Sequence, residues 1–207
     1  MAGTESIFWI GTILALIAML YSSVGHGGAA GCIAVLALFN LAPKVVRPAV
    51  LSLNVVVVGL ASYRFAKAGY IDWRAAVPIV LASMPLAFAG GGIVLPAEIY
   101  RPLLGTPLVM SAVYLVWQTT RSTTAYGKVG RGIPRFGAIA SGGVIGFMSG
   151  LSGIGGGALL IPFFLIAGWA GARQTAGIAA VFILANSLAG LAGNIVALKA
   201  LPAEILP

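Results

Sequence analysis

The sequence predicts an all-α polytopic membrane protein made of two inverted repeats, whose glycine-broken half-helices meet near mid-membrane. Three observations predict it: an apolar composition, a series of membrane-length apolar runs, and a glycine cluster that occurs twice. Of the 207 residues 60% are hydrophobic and 8% are charged, whereas a water-soluble domain carries roughly a quarter charged residues. Since so few polar groups cannot cover a globule, the outside of the molecule must face lipid.

Eight apolar runs follow one another along the chain, at about 7–22, 29–42, 45–66, 75–95, 102–119, 136–151, 156–170 and 174–198. A helix needs about 20 residues to cross the hydrocarbon region. The third, fourth, fifth and eighth runs are long enough, and the second and seventh are short. Both short runs follow a glycine cluster, a pattern typical of the half-helices of a transporter.

The two glycine clusters are related by an offset of 129 residues, which aligns Ser23–Ala29 with Ser152–Ala158. Asn54 and Asn186 come close to the same register, each inside the long third helix of its half. We therefore divide the chain into a first transmembrane repeat, 1–125, and a second, 126–207.

Charge placement predicts the orientation. The segment 121–135 carries four basic residues and no acid, so we place it in the cytoplasm. Counting spans from there puts the N-terminus outside and the following basic residues inside: Arg64, Lys67, Arg74, Arg121, Lys128, Arg131, Arg135 and Arg173. The residues predicted outside are Lys44, Arg47, Arg101 and Lys199. The two halves are then inverted, as in alternating-access carriers of a bacterial-type inner membrane.

The second repeat is shorter than the first. It reaches Pro207 where counterparts of the spans at 75–95 and 102–119 would begin. We therefore expect two further spans of about 20 residues each, or a second subunit that covers the exposed faces, as in a homo-oligomer.

The composition also limits partners and cofactors. The net charge is +8, but the charges are isolated or lie in short loops and form no basic face. The expected partners are the lipid bilayer and a small anionic substrate, and no nucleic acid. The one cysteine, Cys32, excludes an intramolecular disulfide and a cysteine-based metal site. We expect no cofactor and no metal.

The glycine clusters predict an anion site. Glycine adopts the positive φ that a helix break needs, and it lets backbone approach a ligand. A helix that starts after such a break directs free N–H groups and the positive end of its dipole at the cavity. Two such N-termini, from His26–Gly28 and Gly155–Gly157, would bind an anion without any buried Lys or Arg. The alternative is that these glycines only let helices pack closely.

The candidate substrate-binding residues are the two clusters and the two amides: Ser23, Gly25, His26, Gly27, Gly28, Asn54, Ser152, Gly153, Gly155, Gly156, Gly157 and Asn186. The hydroxyls of Ser22 and Ser149 are further possible donors. His26, the single histidine, can sense pH, carry a proton, donate to substrate or merely pack. All four acids lie at span ends or in loops, so coupling through a membrane carboxylate is not expected.

The segment Leu151–Gly157, followed by Ile161-Pro162, resembles the signature of the TauE/SafE family of sulfite and organosulfonate exporters and permeases. Ser23–Gly28 resembles the degenerate second copy of that signature, and the loop Ala66–Trp73 is similar to the family's loop after the third helix. The resemblance implies transport of anions such as sulfite, sulfoacetate, thiosulfate or related oxyanions.

Two rival interpretations come from other classes. Gly150–Gly153 fits the G-x-S-G pattern of rhomboid intramembrane proteases, with Ser152 as nucleophile and His26 as base. Ser152 has a counterpart, Ser23, in the first repeat, however, so the repeat accounts for it without catalysis. Rhomboids also place the catalytic histidine after the serine, and no histidine follows Ser152 in this chain. A non-transporting membrane scaffold would use the glycines for packing and would have no water-accessible cavity beside them.

Overall fold

The structure is a computed structural model that describes residues 43–93, 95–96, 98–100 and 132–199, together with positions 12, 16, 28, 31–32, 102–103, 105–106, 109, 113 and 116. Within these residues the five continuous helices are α1 (Pro43–Lys67), α2 (Trp73–Gly92), α3 (Arg135–Ser152), α4 (Gly157–Ala167) and α5 (Ala172–Lys199). The described residues contain no strand. In the same part of the chain, three stretches are long and apolar enough to cross a membrane: Val46–Lys67, Trp73–Gly92 and Ala172–Ala197. The predicted all-α membrane fold is confirmed.

A tight turn joins α1 to α2. The N–H of Gly69 donates to Ala66 O and that of Tyr70 to Phe65 O, which closes α1 with Gly69 at φ 73°. Asp72 then caps α2, because its carboxylate accepts from the N–H groups of Arg74 and Ala75. The turn thus returns the chain within five residues.

Close packing of α2 on α3 depends on three glycines. Gly142, Gly146 and Gly150 recur every fourth residue of α3 and contact Ile79, Ser83 and Ala87 of α2 in the same order. The two helices therefore run parallel. A Cβ at Gly146 would lie 2.6 Å from Ser83 Cβ, and one at Gly150 would collide with the carbonyl oxygen of Ala87. Small residues let the two backbones touch, as is common between membrane helices.

The long third helices of the two predicted halves, α1 and α5, run antiparallel. Asn54 contacts Ser187, and a Cβ at Gly59 would contact Leu184, so residue numbers rise along one helix as they fall along the other. The helices begin at residues 43 and 172, an offset equal to that of the glycine clusters. Antiparallel counterparts are what inverted repeats require. The repeat as a whole stays a prediction, since most of the first glycine cluster lies outside the described residues.

Five of the basic residues predicted inside lie at one end of the bundle. Arg64 and Lys67 end α1, Arg74 begins α2, Arg135 begins α3, and Arg173 begins α5. Contacts tie these ends together: Arg173 lies over the Tyr70 ring and Gln174 donates to Asp72. The clustering agrees with the predicted charge asymmetry. The assignment of this end to the cytoplasm stays a prediction.

Candidate functional site

The candidate site is a break in the chain between α3 and α4. Gly153, Gly155 and Gly156 have φ values of 77°, 83° and 81°, in the left-handed region that side chains disfavour. Gly153 ends α3, its N–H donating to Ser149 O. Gly156 begins α4, an 11-residue helix too short to cross a bilayer. The predicted helix break at the second glycine cluster is therefore present.

The break lies halfway along both neighbouring long helices. A Cβ on Gly155 would be 2.8 Å from Asn54 Nδ2, 2.7 Å from Ile183 Cγ2 and 3.2 Å from Ser187 Oγ. Asn54 is near the middle of the 25-residue α1, and Ser187 is near the middle of the 28-residue α5. Glycine at position 155 thus leaves the backbone in direct contact with polar side chains near the middle of α1 and α5.

Several buried polar atoms around this break are incompletely bonded. Asn54 Nδ2 donates to Ile154 O at 3.4 Å and to Ser187 Oγ at 3.5 Å, both long. Asn54 Oδ1 and Ser149 Oγ are buried and have no hydrogen-bond partner among the described residues. Ser149 Oγ would lie 3.3 Å from a Cβ on Gly156. A buried polar atom without a partner costs about 1–3 kcal/mol, so the polar groups at the start of α4 are available for a ligand.

Ser152 is engaged with its own helix. Its hydroxyl donates to Met148 O at 2.7 Å and accepts from Ile154 N at 3.4 Å. Its carbonyl accepts from the Tyr100 hydroxyl at 2.9 Å. The Ser152 side chain therefore holds the start of the glycine loop. His26, its partner in the rhomboid interpretation, lies outside the described residues.

Only part of the first glycine cluster can be placed. Ser23, Gly25, His26 and Gly27 lie outside the described residues, so their predicted roles stay predictions. Gly28 is buried with φ 75°, and its carbonyl accepts from Cys32 N. Cys32 is fully buried in one hydrophobic cluster with Ile154 and Ala158. The turn after the first cluster thus packs beside the second, as the two-cluster prediction requires.

Asn186 and Ser187 share the middle of α5 but differ in surroundings. Ser187 contacts Asn54 and the break, although sequence reasoning selected Asn186. Asn186 is fully buried, and both polar atoms of its side chain lack a partner among the described residues. The sequence could have indicated Ser187 only through its position directly after Asn186.

Arg47 differs most from the sequence prediction, which counted it among the residues on the outside and expected an anion site without any buried Lys or Arg. It lies in α1, two turns before Asn54, and is 3% exposed. Its guanidinium donates to Ile93 O at 2.9 Å and to Gly150 O at 2.8 Å, with longer bonds to Gly90 and Gly91. These carbonyls end α2 and α3, where the helix dipoles favour a cation. Arg47 is therefore a buried cation beside the start of the glycine loop.

A small cavity adjoins the glycine loop. It is lined by Met148, Ser152 and Ile154 on the loop side, by Leu103, and by the start of α4. It has room for little more than a water molecule. Among the residues that the structure describes, no cluster of three or more metal-ligating side chains occurs.

Comparisons with known proteins identify the family of the chain. The model of the family described as Sulfite exporter TauE/SafE matches residues 10–207. A "Probable membrane transporter protein" of Sinorhizobium fredii is 37% identical over 187 residues, which cover 90% of this chain and 76% of the relative. One of Methanocaldococcus jannaschii, of the same description, is 29% identical over 136 residues, covering 64% of this chain and 49% of the relative. No solved structure matches the chain. The chain thus belongs to the TauE/SafE family of membrane transporters.

Proposed function

We propose that this protein carries sulfur oxyanions or organosulfonates, of the sulfite, sulfoacetate and thiosulfate class, by alternating access. The single observation that supports it best is the break at Gly153–Gly156. There the N-terminus of α4 starts beside the Ser149 hydroxyl, which is buried and has no hydrogen-bond partner among the described residues. The printed family description, which names sulfite, supports the substrate class.

The groups around the break suit an oxyanion. Such an anion accepts hydrogen bonds at all its oxygens, so its site must be rich in donors. The hydroxyls of Ser149 and Ser187 and the amide of Asn54 can donate. The helix α4 begins at Gly157, beside Ser149. The helix dipole adds a partial positive charge at the same place.

The non-helical backbone between α3 and α4 also supports a transport cycle. Irregular backbone at this level is tolerated where it lines a cavity or is buried in protein. In carriers with inverted repeats, paired half-helices meet at the substrate and the two halves rock around it. The antiparallel pair α1 and α5 and the packing of Cys32 beside Ile154 fit this arrangement.

The test is binding followed by transport. Purified protein in detergent is heated with sulfite, thiosulfate, sulfoacetate, taurine, phosphate or acetate, since a ligand that binds the folded state raises its unfolding temperature. We expect the sulfur oxyanions to raise it most. Liposomes that contain the protein should then accumulate labelled sulfite down an imposed gradient. A protein that binds and moves none of these anions would be a scaffold, and the proposal would be wrong.

A further inference from the structure

Arg47 is a buried cation beside the glycine loop, and the role inferred for it rests on the proposed function. Its guanidinium lies among three helices, where it donates to the terminal carbonyls of α2 and α3 and faces the Tyr100 ring, with 5.9 Å between the guanidinium carbon and the ring centroid. The Nε–H is buried and has no hydrogen-bond partner among the described residues. Among the described residues no carboxylate pairs with it: Asp72 lies at the opposite end of α1, and Glu98 is exposed.

A buried cation without a counter-ion is costly in a membrane protein, and such residues commonly mark ion pathways. Carbonyl dipoles compensate part of the cost, but they bring no negative charge. An anion at the glycine loop would supply such a charge.

Arg47 lies beside one end of the glycine loop, and Asn54 of the same helix lies beside the other. Its Cγ would lie 3.4 Å from a Cβ on Gly153, at the start of the loop. Asn54, seven residues further along the same buried face of α1, touches the loop at Gly155. Two helical turns separate Arg47 from Asn54 by about 10 Å. The loop thus extends from Arg47 at Gly153 to Asn54 at Gly155.

From this geometry we propose that Arg47 supplies the fixed positive charge that draws the anion from the α2–α3 C-terminal end of the bundle to the glycine site. It is a specificity-determining residue that selects anions by their charge. The rival role is purely structural, in which Arg47 only caps the ends of α2 and α3.

The two roles differ in how the effect scales with ligand charge. A unit charge about 10 Å away, at an effective dielectric constant of about 20, changes the affinity for a monoanion about fifteenfold. For a dianion the same charge changes it by about the square of that factor, on the order of 200-fold. Loss of a structural cap would lower the affinities for both anions by the same factor.

The experiment compares isethionate, a monoanion, with sulfoacetate, a dianion of nearly equal size. Their affinities are measured by titration calorimetry on wild type, Arg47→Lys and Arg47→Gln. We expect Arg47→Gln to lose about fifteenfold for isethionate and on the order of 200-fold for sulfoacetate. Arg47→Lys should keep the wild-type ratio between the two anions. Equal losses for both anions in Arg47→Gln would overturn the inference and leave Arg47 as a helix cap.

A second pair of variants covers the case in which Arg47→Gln does not fold. Tyr100→Glu places a carboxylate beside the guanidinium and neutralises it without removing its bonds to the helix ends, and Tyr100→Gln is the uncharged control. We expect Tyr100→Glu, relative to Tyr100→Gln, to weaken sulfoacetate more than isethionate. An unchanged ratio would also overturn the inference. Failure of the wild type to bind either anion would instead overturn the proposed function.

Discussion

The side-chain amide of Asn54 and the main-chain carbonyl of Ile154 lie 3.4 Å apart, although 100 residues separate them in the sequence. This contact ties the middle of α1 to the break that starts α4. It also leaves Asn54 Oδ1 buried without a partner among the described residues. Replacing Asn54 should therefore change ligand binding more than it changes the stability of the fold.

We expect Asn54→Leu to weaken sulfite binding about tenfold to a hundredfold, because a hydrogen bond to a charged ligand contributes about 1.5–3 kcal/mol. Its unfolding temperature without ligand should change little, since the substitution also removes an unpartnered buried oxygen. Asn194→Leu is the control, because Asn194 Oδ1 on α5 is likewise buried and unpartnered. Ligand titration and thermal unfolding measure both effects. Equal binding losses in the two variants would contradict a specific role for Asn54.

The second prediction concerns the start of α4. Gly156→Ala should abolish measurable sulfite binding, because its methyl group would lie 2.8 Å from Phe182 Cε1 and beside Ser149 at the proposed site. Gly168→Ala is the matched control. Gly168 also has a positive φ, of 64°, but a Cβ there meets nothing within 4 Å.

Both alanine variants carry about 1–2 kcal/mol of left-handed backbone strain, so that strain alone cannot explain a difference between them. Binding is measured by titration well below the lower of the two unfolding temperatures. If Gly168→Ala loses as much affinity as Gly156→Ala, the break is not the binding site.

The third prediction tests the contact of α2 with α3. Gly150→Ala should destabilise the protein by about 1–3 kcal/mol, as overpacking does, because its methyl group would collide with the carbonyl oxygen of Ala87. Gly143→Ala on the same helix would meet only Leu86 Cδ1, at 3.0 Å, and a side-chain end can move. We expect Gly143→Ala to be neutral or slightly stabilising, since alanine favours helix over glycine. The unfolding temperatures of both variants, measured in the same detergent, test this difference in stability.

The fourth prediction concerns the turn between α1 and α2. Asp72→Ala should cost about 0.5–2 kcal/mol, because it removes the cap of α2 and the acceptor of Gln174 Nε2, 3.1 Å away. Asp72→Asn keeps a capping oxygen and should retain most of the stability. Chemical denaturation of both variants measures the difference. A loss in Asp72→Asn as large as in Asp72→Ala would assign the effect to charge rather than to capping.

The amino-acid sequence alone determined that this chain is a helical membrane protein with a break at Gly153–Gly156. Those features depend on local properties: the length of an apolar run, and the freedom of glycine to adopt positive φ. The helix starts agree with the predicted offset, since α1 and α5 begin at residues 43 and 172, and the repeat itself stays a prediction.

Only the tertiary structure decided which side chains face one another. In a soluble helix, apolar periodicity marks the buried face. In α1 and α5 the lipid-facing and protein-facing sides are both apolar, so periodicity could not show that Ser187 rather than Asn186 meets Asn54. The burial of Arg47 was equally hidden, because a basic residue near the end of an apolar run is the normal pattern of a loop charge. Its partners are carbonyls of α2 and α3, which lie 43 to 103 residues away in the sequence, and only the folded chain brings those helix ends to it.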